Sequence, residues 1–123
     1  MERDQFQCGD GLPEEIGRLF REVVELYAQA FNALLNRDTV QSNRAIERST
    51  RLEKELNEAS FRLSQAYITA PNYGEPAKRV SFAFAVRSIL MGLVQTVNFI
   101  GTIAEVAMNR SLELEGPLVS VEP

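Results

Sequence analysis

Between Val80 and Met108 the chain carries only two formal charges, Arg87 and Glu105, and no residue there breaks a helix. Its central stretch, Ser88 to Ala104, has none. A helix that is apolar on nearly every side has to be covered on nearly every side. That requirement restricts the chain to three solutions: a central helix in a bundle, a membrane span, or a helix packed on another copy of itself. The charge-free stretch is at the lower length limit for a span and contains Ser88, Gln95, Asn98, two threonines and two glycines. The expectation is a buried helix with no membrane span.

The flanking sequence supplies partners for such a helix. A first helix is predicted over 13–36, opening at Pro13 with Glu14 and Glu15 at the positive end of the dipole. Its apolar positions are Ile16, Leu19/Phe20, Val23/Val24, Tyr27, Ala30/Phe31 and Leu34/Leu35, an amphipathic spacing. Asp38 is placed to cap a second helix over 39–70. That helix has a heptad seam, Ala45, Ser49, Leu52, Leu56, Ala59, Leu63, Ala66 and Ala70. Its other face reads as solvated, with Glu47–Arg51, Arg51–Glu55, Lys54–Glu58 and Glu58–Arg62 at i,i+4 and an arginine cluster at Arg44, Arg48 and Arg51. "APNYGEP" then breaks the chain, and the apolar helix follows over 77–110. The fold class is therefore all-α, an antiparallel three-helix bundle of the spectrin-repeat kind. Residues 1–12 are expected to be a flexible N-terminal segment, 13–110 the helical domain and 111–123 a tail. Two helices of equal or smaller length cannot wrap the third completely, so a homodimer packed along the third helix is the simplest completion.

Composition narrows the chemistry. A net charge of −4 argues against nucleic acid, which requires a basic footprint. Cys8 is the single cysteine and cannot form an internal disulfide, which makes a reducing, cytoplasmic setting the default. The chain has no histidine, the commonest general base and transition-metal ligand. With no phosphate loop, nucleophile elbow or metal-spaced Cys or His cluster, the expectation is a protein that is not an enzyme and needs no cofactor.

The polar residues of the third helix form a pattern. Ser81, Ser88, Gln95, Thr102 and Asn109 recur every seven residues, with Asn98 and Glu105 beside them at the same step. A seven-residue step holds one side of a supercoiled helix toward one neighbour. Such a stripe faces solvent, bonds across a bundle, or lines a groove for a partner. Gln95, Asn98, Phe99, Thr102 and Ile103 are accordingly the candidate interface residues.

The second helix, with "ALLNRDTVQSNRAIERSTRLEKELNEA" running into it, and the third, with "VNFIGTIAEVA", together resemble the PhoU family of phosphate-uptake regulators. The resemblance covers about 16–109 and rests on helix order, the "NRD…AIER" stretch, the "IG" pair and the break before helix three. It implies three-helix units, usually in tandem, and a role in phosphate transport and its signalling. The implied partners are a transporter's cytoplasmic components or a sensor kinase. The family signature, acid-x-x-x-Asp around Ile-Gly, binds clustered metal ions. Here Asn98 and Thr102 stand at those positions, and Ser49 stands where an aspartate often follows "IER". Neutral oxygens rarely hold iron or zinc without carboxylates, so these departures argue against the metal cluster. The residual acids nearby, Glu53 and Glu105, are the ones that would carry any metal. Since the family generally has two units, a homodimer of this single unit would rebuild the tandem. The alternative is a generic helical dimerisation module with no phosphate role.

Overall fold

The computed structural model describes residues 11–69 and 74–115. Three helices run up, down and up: α1 (Gly11–Asn36), α2 (Thr39–Thr69) and α3 (Pro76–Glu115). Among the described residues there is no strand, and each helix packs on both others, α2 against α3 most extensively. The bundle is all-α and three-helical, as the periodicities require. The differences in extent are at the ends: α1 starts two residues before Pro13, and α3 continues through "SLELE", part of the expected tail.

Local chemistry sets the α1–α2 turn. Arg37 adopts a left-handed backbone, φ 53°, and the N–H of Asp38 donates to the Ala33 carbonyl at 3.1 Å. This is a Schellman closure in which arginine occupies the position usually given to glycine. Asp38 Oδ1 then accepts from the N–H of Gln41 at 3.1 Å, the predicted cap of α2.

The core is a stack of Leu, Val, Ile and Ala. α1 contributes Leu19, Val23, Leu26 and Ala30, α2 contributes Ala45, Leu52, Leu56, Ala59 and Leu63, and α3 contributes Ala83, Val86, Leu90, Val94, Val97, Ile100 and Ala104. The α2 seam holds up to Leu63, but at its far end Tyr67 is buried and Ala66 is exposed. A tyrosine ring one position along reaches the interface that Ala66 cannot fill. Tyr67 stacks on Phe82 of α3, centroids 5.1 Å apart.

Ion pairs tie α1 to α2. Arg48 donates to Glu22 and Glu25, each at 2.8 Å, Arg18 pairs with Glu55 at 2.7 Å, and Arg62 pairs with Glu15. This revises the solvated-face reading of α2: Arg48 bridges two glutamates of α1, and Glu55 and Arg62 find partners across the helices. The hydrogen bond from Arg62 holds the Glu15 carboxyl below the usual carboxylate value, and that from Arg48 does the same to Glu22. The flank of α1 that bears these glutamates therefore faces α2. Its other flank lies toward α3.

Arg62 meets Glu15 near the start of α1, so the Tyr67–Phe82 stack lies toward the same end of the bundle. Ile68, Val80, Phe82 and Phe84 are exposed toward that end.

Candidate functional site

The α2–α3 seam contains the Ile-Gly pair. Gly101 is buried, and a Cβ there would lie 2.9 Å from Ser49 Oγ and 3.5 Å from Ser49 Cβ. The absence of a side chain at 101 is what lets α3 approach α2 this closely. Ser49 itself is buried, and its hydroxyl donates to the Ile46 carbonyl at 2.7 Å. It is thus satisfied within its own helix. Asn98 and Thr102 lie on the exposed side of α3, where Thr102 Oγ1 donates to the Asn98 carbonyl at 3.1 Å. Glu53 is half-buried on α2 and Glu105 is exposed on α3. Among the described residues no three His, Cys, Asp or Glu side chains gather closely enough to hold a metal ion.

The heptad stripe has a plain location. Ser81, Ser88, Gln95, Thr102 and Asn109 are all exposed, as are Asn98 and Phe99, while Ile103 is half-buried against the core. Of the readings open to it, the stripe takes the outward one. α3 buries a single stripe of its surface, so the covering it requires is incomplete within one chain. By length and composition α3 is long enough and apolar enough to cross a membrane, and only a third of its most apolar window is buried in the bundle.

Sequence reading missed a second feature of the same kind on α1. The doublets Leu19/Phe20, Val23/Val24, Ala30/Phe31 and Leu34/Leu35 encode two adjacent apolar stripes rather than one. The first member goes to the core at Leu19, Val23 and Ala30, and Phe20, Val24, Tyr27, Phe31 and Leu35 are left exposed. The doublets themselves were the available signal, because a helix between two neighbours needs only one such stripe. Tyr27 and Phe31 stack on each other in the open, centroids 5.8 Å apart. All six described phenylalanines are exposed: Phe20, Phe31, Phe61, Phe82, Phe84 and Phe99. Phe99 reaches 66% and Phe84 64%. Aromatics and large apolar groups assembled outside a core of smaller aliphatics mark a contact surface.

Among the described residues, hollows of about 70 and 150 Å³ line the α2–α3 groove, the larger bordered by Asn57, Ser60, Phe61, Ser64, Arg87 and Met91. Both are well below the roughly 300–1,000 Å³ of small-molecule pockets. What the described residues define is a three-helix bundle with one charge-paired face, between α1 and α2, and a broad uncharged apolar face on its α1–α3 side. No protein family, characterised protein or solved structure matches the chain at a significant level.

Proposed function

We propose that the protein is a non-enzymatic, cytoplasmic regulator or adaptor that acts through protein–protein contacts, in the manner of the PhoU-type phosphate regulators it resembles, and as a homodimer. The observation that carries the contact role is the exposure of Phe20, Val24, Tyr27, Phe31 and Phe99 outside a fully formed core. The phosphate role rests on the sequence resemblance around "NRD…AIER" and "FIG". In this reading the scaffold is retained and the metal site neutralised, since Asn98 and Thr102 bring hydrogen-bonding groups but no charge to compensate a cation.

The fold also bears on the membrane question. α2 lies along α3 from Tyr67 at one end to Ser49 beside Gly101 further along, and it carries Arg51, Lys54, Glu55 and Glu58. Inserting α3 with α2 still docked would draw those charges into hydrocarbon at several kcal/mol or more each. This charge cost supports the reading of α3 as a bundle helix rather than a membrane span.

Affinity purification of the tagged protein from phosphate-replete and phosphate-starved cells tests the function. Recovery of a transporter's cytoplasmic component or a sensor kinase supports it, together with altered phosphate uptake in a deletion strain. Recovery of neither, with normal uptake, favours the second reading of a generic dimerisation module. The neutral, outward placement of Asn98 and Thr102 is what gives that reading its weight.

A further inference from the structure

We propose that the face shared by the outer flank of α1 and the outer side of α3 is where a second copy of the chain docks, about a twofold axis. This deepens the contact-module reading and rests on it. The lining residues are Phe20, Val24, Tyr27 and Phe31 from α1 and Phe99 and Val106 from α3. The ion pairs from Glu15, Glu22 and Glu25 commit one flank of α1 to α2, which turns the Phe20–Phe31 flank toward α3. On α3, Arg87 and Met91 line the groove against α2, while Phe99 and Val106, seven residues apart, point away from the core.

Size suits a second copy. The six side chains are between 42% and 66% exposed. With about 150–250 Å² available to each aromatic and less to each valine, they present on the order of 500–600 Å² of apolar surface. Intervening backbone and small side chains bring this near the roughly 800 Å² per partner of a standard interface.

Charge selects the occupant. A twofold axis brings residues near their own copies, so an ionised group at its centre would meet its like. None of the six lining residues is ionised, so the face is free of that repulsion and offers nothing for a charged peptide to pair with. A lipid surface is disfavoured by the net charge of −4, which opposes approach to anionic headgroups. The stacked Tyr27 and Phe31 rings are already ordered before contact, which lowers the entropic cost of association.

Sedimentation equilibrium of the full chain at micromolar concentration tests the proposal, alongside far-UV circular dichroism. The wild type is expected at twice the 13.8 kDa chain mass. Phe31→Glu and Phe99→Glu are each expected to weaken self-association about tenfold or more with helicity unchanged, because both side chains are already outside the core. Phe61→Glu, at an equally exposed phenylalanine beside the α2–α3 groove, is expected to leave the dimer intact. A monomeric wild type overturns the proposal. So does a dimer that survives both face substitutions, or one lost in Phe61→Glu alone. Binding of a monomeric wild type to phosphatidylglycerol vesicles, abolished by Phe31→Glu, would assign the face to lipid instead. A dimer that resists both substitutions leaves the regulator reading to the pull-down, and an empty pull-down with the dimer confirmed defeats that reading alone.

Discussion

Gly101→Ala sets two effects of similar size against each other at the α2–α3 seam. Replacing glycine within a helix by alanine favours the folded state by about 0.8–1 kcal/mol. The new methyl, however, would sit 2.9 Å from Ser49 Oγ, closer than real Cβ atoms come to such a neighbour. Ser49 cannot easily turn away, since its hydroxyl is held by the Ile46 carbonyl at 2.7 Å in a buried position. Overpacking of this kind costs about 1–3 kcal/mol, which cancels or exceeds the helical gain, so the net loss is expected at roughly 0–2 kcal/mol. Ser49→Ala removes the clashing oxygen and leaves only Ser49 Cβ at 3.5 Å, an ordinary contact. In that background Gly101→Ala should stabilise by about 1 kcal/mol, giving a coupling of roughly 1–3 kcal/mol in a double-mutant cycle. Gly92→Ala provides the reference. Nothing lies within 4 Å of its Cβ, so only the helical gain of about 0.8–1 kcal/mol remains. Urea unfolding followed at 222 nm, at matched protein concentration, measures all five proteins. If Gly101→Ala alone stabilises as much as Gly92→Ala, with no coupling to Ser49, the close approach of the helices is refuted.

Three further outcomes follow from the fold. Arg37→Gly should raise stability by about 0.5–1 kcal/mol, because glycine adopts φ 53° without the steric cost an arginine bears; an unchanged midpoint in urea would mean the turn is not left-handed. Ser42 is fully buried and its hydroxyl has no partner among the described residues, so Ser42→Ala should stabilise by about 1 kcal/mol, and a loss in thermal unfolding would reveal a hidden partner. The carboxyls of Glu15 and Glu22 lie below their usual 4.5 in the folded state, so the stability they contribute is present above that pH and lost as pH falls through their lowered values. Arg48→Met should therefore flatten the acid side of the stability–pH curve, and an unaltered curve would count against the Glu22 contact.

The sequence by itself determined the number of helices, their order and the chemistry of their ends. Apolar spacing at three and four residues needs no knowledge of a neighbour, the Pro and Gly of "APNYGEP" break any helix, and Asp38 caps whatever follows it. The same local logic made Ala45 to Leu63 the seam of α2, whereas the close approach at Gly101 came only from the structure. Tertiary structure alone decided which of two equivalent faces was used. α1 carries two apolar stripes one residue apart, and the placement of α2 and α3 buries Leu19 and Val23 while leaving Phe20 and Val24 in the open. Arg48 has no acidic residue three or four positions away on its own helix, and its long, flexible side chain takes Glu22 and Glu25 of α1. Spacing along a chain states which residues share a face. Which neighbour that face meets, and which face is left uncovered, depends on the volume of every other helix at once, and no local segment contains that information.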